Sequence, residues 1–303
     1  MTLFDKLVVH GLPMVPKCIV GRVARRYVAG ESREDALAAV RELNAEGACC
    51  TVDVLGEEVT EREKAEAAVE EYLTLLEAIR AEGLDSNLSV KPTLVGLRIE
   101  ERLCHENIER IVARAQELGN FVRIDMEDHT TTDATLRIYR DLAGRYGNVG
   151  TVLQAYLHRT PADIDDLLPL RPNIRLCKGI YREPRAIAWK PYETVRANFV
   201  FCLERLLEGG ATVGIATHDE HLVWAGMATV RKLGIPEDRY EFQMLLGVDP
   251  ELRRIILGEG FRLRVYVPYG TDWYPYSVRR LRENPTVAKH VLRAMLGLPP
   301  DLS

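Results

Sequence analysis

The feature that most constrains this chain is a repeated alternation between short β-rich runs and amphipathic helical stretches. Strands that alternate with helices pair in parallel through right-handed crossovers. Eight such strands close a (βα)8 barrel. The strand patterns cover 48–55, 88–95, 121–126, 150–157, 174–178, 212–217, 240–245 and 263–267. Helical patterns cover 61–82, 100–118, 132–146, 161–168, 192–207, 221–233 and 250–258. The sequence therefore predicts an α/β barrel.

Two further helical patterns precede the first strand, over 19–28 and 33–46. Ser32 is a candidate N-cap for the second, and Glu34 and Asp35 in its first turn suit the positive end of the helix dipole. No linker rich in Gly, Ser or Pro separates these patterns from the barrel. We therefore predict an N-terminal helical extension over 1–46, a barrel domain over 47–297 and a tail over 298–303.

The charge balance and the apolar pattern exclude several classes of protein. The formal net charge is −5, whereas nucleic-acid binders usually carry a basic excess. No apolar run reaches the ~18 residues of a transmembrane helix, and the first residues lack a secretory signal. Six cysteines include no Cys-x-x-Cys pair, which favours reduced, buried thiols. We predict a cytoplasmic protein that binds no nucleic acid.

Several catalytic motifs are missing from the sequence. There is no Gly-x-Gly-x-x-Gly fingerprint, no P-loop, no His-Glu-x-x-His and no Gly-x-Ser-x-Gly. A bound dinucleotide would therefore not lie in a Rossmann crevice. We predict no metal site.

Polar side chains stand where the predicted strands end, and barrel active sites form at that face. A single charge inside an apolar strand is costly unless paired, and it is usually a structural ion pair. Several charges that converge on one mouth favour function. The residues at these ends are Lys91, Asp125, Gln154, Arg175, Lys178, Thr217, His218, Gln243, Leu245 and Tyr266.

The segment over 273–283 carries the sharpest local signal. Tyr276, Arg280 and Glu283 fall on one face of the predicted helix, and Arg279 borders that face. Adjacent arginines can clamp a carboxylate through paired N–H donors. The segment is equally compatible with a solvated basic helix that carries an Arg279–Glu283 ion pair.

Taken together, the strand-end residues and the segment over 273–283 belong to a series of short sequence blocks that resemble the monofunctional bacterial proline dehydrogenases. The matching segments run in order from about residue 51 to about residue 283, and they are LGE, SVK, FVRIDMED, GTVLQAY, RPNIRLCKG, IATHD, YEFQML and VYVPYGTDWYPYSVRRL. The resemblance implies a distorted (βα)8 TIM barrel that binds FAD.

The resemblance also implies a role for each matching residue. Arg279, Arg280 and Lys91 would bind the proline carboxylate, and Glu283 would orient the two arginines. Tyr266, Tyr276 and Leu245 would line the substrate ring, while Glu57 would pair with Arg279 as a gate. Asp125 would support Lys91, Arg175 would lie near the flavin, and these two are the predicted catalytic residues. The FAD would contact Met126, Gln154, Cys177, Lys178, Gly179, Thr217 and His218. The sequence departs from many relatives at Ile180, where alanine is common beside the substrate.

The implied reaction is oxidation of L-proline to Δ1-pyrroline-5-carboxylate, the first step of proline catabolism to glutamate, with electrons passed from FAD to a quinone. The resemblance is also compatible with a pyrroline-5-carboxylate dehydrogenase as partner and with peripheral contact at the inner face of the membrane. Arginines and tyrosines with no metal cluster suit this chemistry, since it needs a flavin, a carboxylate anchor and an apolar wall. The alternatives are a reductase of the methylenetetrahydrofolate type and a non-catalytic amino-acid binder.

Overall fold

The barrel predicted from the alternation is present and closed. The computed structural model describes residues 26–277. Eight parallel strands follow one another around the barrel, and β8 pairs with β1. The strands are β1 (Cys49–Val54), β2 (Ser86–Val90), β3 (Val122–Ile124), β4 (Val149–Gln154), β5 (Asn173–Cys177), β6 (Thr212–Ala216), β7 (Tyr240–Leu245) and β8 (Leu263–Tyr269).

Helices follow the strands on the outside of the barrel. The sequence of helices is α1 (Arg33–Ala45) before β1, then α2 (Arg62–Glu82), α3 (Glu101–Glu117), α4 (Thr132–Ala143), α5 (Thr160–Leu167), α6 (Tyr192–Glu208), α7 (Glu220–Leu233) and α8 (Pro250–Gly258). A further helix begins at residue 273. None of the helices within residues 26–277 has the length and apolar character needed to cross a bilayer.

The second strand begins and ends earlier in the sequence than predicted. The pattern placed it over 88–95, but β2 ends at Val90 and the chain then turns. The backbone N–H groups of Leu94 and Val95 both donate to the carbonyl of Lys91, and Pro92 has no N–H for a strand ladder. The apolar residues after Lys91 are therefore buried in a turn, which a periodicity argument cannot distinguish from a strand.

The N-terminal extension is described only in part. Helix α1 packs against β8 and β1. Ser32 is its N-cap, as predicted, and the structure adds a reciprocal hydrogen bond from the Ser32 backbone to the Asp35 side chain. Of the pattern over 19–28, residues 26 and 27 form a turn and residue 28 is irregular; the rest lies outside the described residues. The domain limits at 46, 297 and 298 stay a prediction.

The inside of the barrel is unusually polar. Barrel interiors are normally filled by branched apolar side chains, but here Arg264 donates to Glu241 at 2.7 Å, and Gln243 donates to the same carboxylate at 2.7 Å. Gln243 in turn accepts from Arg175 at 2.6 Å. A Cβ on Gly214 would lie 2.4 Å from the Gln243 amide nitrogen, so the glycine leaves room for this column. The column carries a hydrogen-bonded network from the floor of the barrel to its mouth.

Candidate active site

A cavity of about 580 Å³ opens where the strands end. That volume lies within the ~300–1,000 Å³ typical of cofactor and ligand pockets. Every site residue predicted from the sequence that falls within residues 26–277 lines it: Glu57, Lys91, Asp125, Met126, Gln154, Arg175, Cys177, Lys178, Gly179, Thr217, His218, Leu245, Tyr266 and Tyr276. The remaining predicted residues, Arg279, Arg280 and Glu283, lie outside the described residues, and so does the Arg279 side of the predicted gate.

A chain of charged and polar groups forms the floor of the cavity. The Lys91 ammonium pairs with the Asp53 carboxylate, and its Nζ lies 3.4 Å from the hydroxyl of Tyr266. That hydroxyl donates to Asp125 Oδ2 at 3.3 Å. Arg175 Nη1 donates to Asp125 Oδ1 at 2.7 Å. Two cations and two carboxylates therefore alternate, and each buried charge has an opposite charge beside it, as a buried charge requires.

Burial and neighbouring charges set the ionisation of this floor. Burial raises the pKa of Asp53 above its ordinary value, against the opposing effect of Lys91. Burial alone would lower the pKa of Lys91, but the carboxylates of Asp53, Asp125 and Glu57 raise it above its ordinary value. The pKa of the Tyr266 hydroxyl is raised well above 10 by burial. At neutral pH the floor therefore presents a charged ammonium and a neutral phenol to the cavity.

The loop after β5 forms one wall of the cavity. Gly179 has φ of +108°, and a Cβ there would lie 2.1 Å from the Tyr156 ring. Glycine is therefore required both by the backbone conformation and by the space available. Its neighbour Lys178 donates to Asp219 at 3.0 Å, and that carboxylate also accepts from Arg196 at 2.7 and 2.9 Å.

Two side chains at the ends of β4 and β6, the strands on either side of β5, have polar atoms that bear on cofactor binding. Gln154 Nε2 donates to the carbonyls of Met126 and Glu127, both at 3.2 Å. Gln154 Oε1 is buried and has no hydrogen-bond partner within residues 26–277. Because an unpartnered buried acceptor is costly, this oxygen suits a ligand with an N–H donor, such as a flavin ring. His218 Nε2 accepts from the backbone N–H of Leu245 at 2.7 Å and joins the ends of β6 and β7.

Sequence reasoning missed three acidic residues of this site. Asp53 is fully buried beside Lys91 and is the fifth of the six residues of β1. Asp219 holds Lys178 and Arg196, and Glu127 lines the cavity beside Met126. A carboxylate inside an apolar strand is a visible signal in the case of Asp53. The importance of Glu127 and Asp219 depends on partners that lie far away in the sequence.

The chain is similar to proteins of one family over most of its length. A family model described as proline dehydrogenase matches residues 36–293. A proline dehydrogenase of Deinococcus radiodurans is 41% identical over 279 residues, and proline dehydrogenase 1 of Bacillus subtilis (strain 168) is 39% identical over 273 residues; each alignment covers 90% of both chains. The crystal structure of proline utilization A (PutA) from Bdellovibrio bacteriovorus, inactivated by N-propargylglycine, superposes with a TM-score of 0.82 at 26% identity. That superposition covers 88% of this chain and 33% of the other.

Proposed function

This chain belongs to the proline dehydrogenase family, and we propose that it oxidises L-proline to Δ1-pyrroline-5-carboxylate with FAD as the immediate acceptor and a quinone as the final one. The observation that carries the proposal is the cavity itself. It joins a charged lysine, a paired arginine and aspartate, and aromatic and apolar walls from eight different strand ends or loops. Substrate anchoring and ring positioning need these groups in one place.

The residues present fit a flavin. Gln154 Oε1 supports this assignment, because a flavin ring carries an N–H that would satisfy the buried oxygen. Lys178, Gly179, Thr217 and His218 would hold the rest of the group together with Met126 and Cys177. Burial raises the pKa of the Cys177 thiol to about 11, so it stays neutral beside the cofactor. When bound, FAD would accept the hydride that the protein side chains cannot accept.

The substrate would lie between the floor and the wall of the cavity. Lys91 offers a positive charge for the carboxylate, and we propose that Arg279, Arg280 and Glu283 complete that anchor. Tyr266, Tyr276 and Leu245 would pack on the ring and exclude water. Asp125 and Arg175 would lie beside the reacting carbon. Arg175 and the Tyr266 hydroxyl both donate to Asp125, so the three side chains hold one another in place. Glu57 would close over the substrate as a gate.

We further propose that this chemistry takes place in the cytoplasm, with contact at the inner face of the membrane when electrons pass to a quinone. The product carries a reactive C=N bond and is the natural substrate of a pyrroline-5-carboxylate dehydrogenase. A reductase of the methylenetetrahydrofolate type would share a flavin-binding barrel, but it has no need of a carboxylate clamp. A non-catalytic binder of amino acids would not hold a reducible flavin.

The test is anaerobic reduction of the flavin in the purified protein. L-proline should bleach the yellow protein, and methyltetrahydrofolate, the reduced folate that could give electrons to the flavin of such a reductase, should not. Arg280→Ala should retain flavin and lower kcat/KM for proline by roughly 30- to several-thousand-fold, since a charged partner of a sequestered anion contributes about 2–5 kcal/mol. Arg102→Ala, at an arginine whose side chain is 79% exposed on α3, is the matched control. A colourless protein, or bleaching by the folate alone, would overturn the proposal.

A further inference from the structure

The loop between β1 and α2 carries Glu57 into the cavity, and it adopts an unusual conformation there. The next residue, Glu58, has φ of +59°, a left-handed conformation that residues with a side chain rarely adopt. Such a conformation persists only when the surroundings hold it. The Glu57 carboxylate lies close enough to Lys91 and Glu127 to raise the pKa of both. The position of this loop therefore affects the charge at the cavity.

Thr93, from the neighbouring loop, accepts two backbone hydrogen bonds from this segment. The backbone N–H of Glu58 donates to Thr93 Oγ1 at 2.9 Å, and the N–H of Val59 donates to the Thr93 carbonyl at 3.0 Å. Thr93 is fully buried. A Cβ on Gly56 would lie 2.7 Å from the Leu94 side chain, so the two loops are in close contact on both sides of Glu57.

Glu127 in turn holds Thr93. Its carboxylate accepts from the backbone N–H of Thr93 at 2.8 Å and from the Thr93 hydroxyl at 2.6 Å. The hydroxyl therefore receives a hydrogen bond from Glu58 and donates one to Glu127, which fixes its orientation. The carbonyl of Glu127 is bonded to Gln154. We call Thr93 and Glu127 the inner tier.

A second connection lies outside the first. Arg98 donates to both carboxylate oxygens of Glu58 at 2.9 and 3.0 Å. It also reaches Asp128 at 3.3 Å and the Thr130 hydroxyl at 3.1 Å. This outer tier is exposed to solvent and should contribute little by itself. Both tiers run from the loop after β1, through the loop after β2, to the loop after β3.

We infer that the Thr93–Glu127 inner tier is a positioning element that holds the Glu57 loop in the conformation presented to the substrate. The inference rests on the proposed function, because it assigns a role in proline binding to residues that need not touch proline. It predicts that loss of the Thr93 hydroxyl loosens the loop and weakens substrate binding more than it slows turnover.

The test compares Thr93→Val with Thr93→Ser in the flavin-loaded protein. Hydrogen exchange at single-residue resolution should show the Glu58 amide exchanging roughly 5- to 100-fold faster in Thr93→Val, because valine removes the oxygen that accepts its hydrogen bond. The Val59 amide donates to the Thr93 carbonyl, which valine keeps, so it should exchange faster only because the loop is looser. KM for proline should rise about 3- to 10-fold with kcat changed less. Thr93→Ser, which keeps the hydroxyl, should restore both values.

Thr135→Val is the matched control. Thr135 is equally buried, and its hydroxyl has no hydrogen-bond partner within the described part of the chain. It should leave both amides protected and KM unchanged. Equal exchange of the Glu58 amide in Thr93→Val and wild type would overturn the inference, and so would a Thr93→Ser variant that behaves like Thr93→Val.

If Thr93→Val does not fold, Glu127→Met answers the same question. Methionine has a similar size but no oxygen to accept from the Thr93 hydroxyl or N–H, so the Glu58 amide should again lose protection, and retained protection would overturn the inference. Failure of the proposed function remains distinguishable, since wild-type protein would then not be bleached by proline whatever the exchange of the Glu58 amide.

Discussion

At the scale of single residues, Lys91 shows how a buried charge depends on its partners. Its side chain is 7% exposed, and the Asp53 side chain beside it is inaccessible to solvent. The sequence resemblance suggested Asp125 as the group that supports Lys91. The structure places Asp53 in direct contact and Asp125 one hydroxyl farther away, through Tyr266. Asp125 still raises the pKa of Lys91 through its charge.

Asp53→Asn should therefore be costly, because it leaves the Lys91 ammonium buried without its nearest counter-charge. Breaking one partner of a buried pair typically costs about 3–5 kcal/mol. The double variant Asp53→Asn with Lys91→Met should lose less stability than the sum of the two single variants. Chemical denaturation of all three variants at pH 7 measures this coupling. Additive losses would show that the pair does not act as a unit.

At the scale of elements, the loop after β5 is held in place by residues that lie tens of positions away in the sequence. The loop after β5 carries Lys178, Gly179 and Ile180, and Ile180 lines the cavity as the sequence departure suggested. The loop is tied to the start of α7 through Asp219 and to α6 through Arg196. These ion pairs fix the backbone of the loop, so the effect of a substitution at Ile180 can be assigned to its side chain.

Ile180→Ala should widen the substrate end of this loop. Isoleucine is stiff at χ1 and adds three carbon atoms relative to alanine. If its side chain limits the ring, then the ratio of kcat/KM for 4-hydroxyproline to that for proline should rise in Ile180→Ala by about 10-fold, equivalent to ~1.4 kcal/mol. Val195→Ala, a buried position on α6 that does not line the cavity, is the control. An unchanged ratio would mean that Ile180 packs without shaping the pocket.

At the scale of the whole molecule, the stability of the fold is linked to pH through the acids of the site. Burial raises the pKa of Glu127 to about 7, although Thr93 opposes the shift through its hydrogen bonds. An acid whose pKa is higher in the folded state binds more protons there than in the unfolded chain. The free energy of unfolding therefore falls as the pH rises through the window between the ordinary value of about 4.5 and about 7.

Glu127→Gln removes this dependence, because glutamine does not titrate. The stability of the variant relative to wild type should therefore improve between pH 5 and pH 8, by about 1–3 kcal/mol. Denaturant unfolding of the two proteins at several pH values measures the difference. The exposed Glu106 on α3 provides the control substitution Glu106→Gln. A stability difference that stays constant across this range would contradict the shifted pKa.

The sequence determined the fold because the features that specify a parallel barrel are local. The eight strand patterns, the capping of α1 at Ser32 and the helix over Pro250–Gly258 were all visible in the order of the residues. The sequence also identified the cavity-lining charges of Lys91, Asp125, Arg175 and Lys178, since charges at the ends of parallel strands must meet at one mouth. It missed Glu127 and Asp219.

The tertiary structure alone decided how these residues pair. Asp53 beside Lys91, Glu127 on Thr93 and Asp219 on Lys178 join positions 38, 34 and 41 residues apart. No periodicity encodes such a pairing, because it depends on which side chains the closed barrel brings within hydrogen-bond distance. The same holds for the turn after Lys91. Its residues are apolar because neighbouring elements bury them, and in the sequence such an apolar run looks like a strand. The local sequence pattern determines which side chains reach the mouth of the barrel, and closure of the barrel determines which of them form ion pairs and hydrogen bonds with one another.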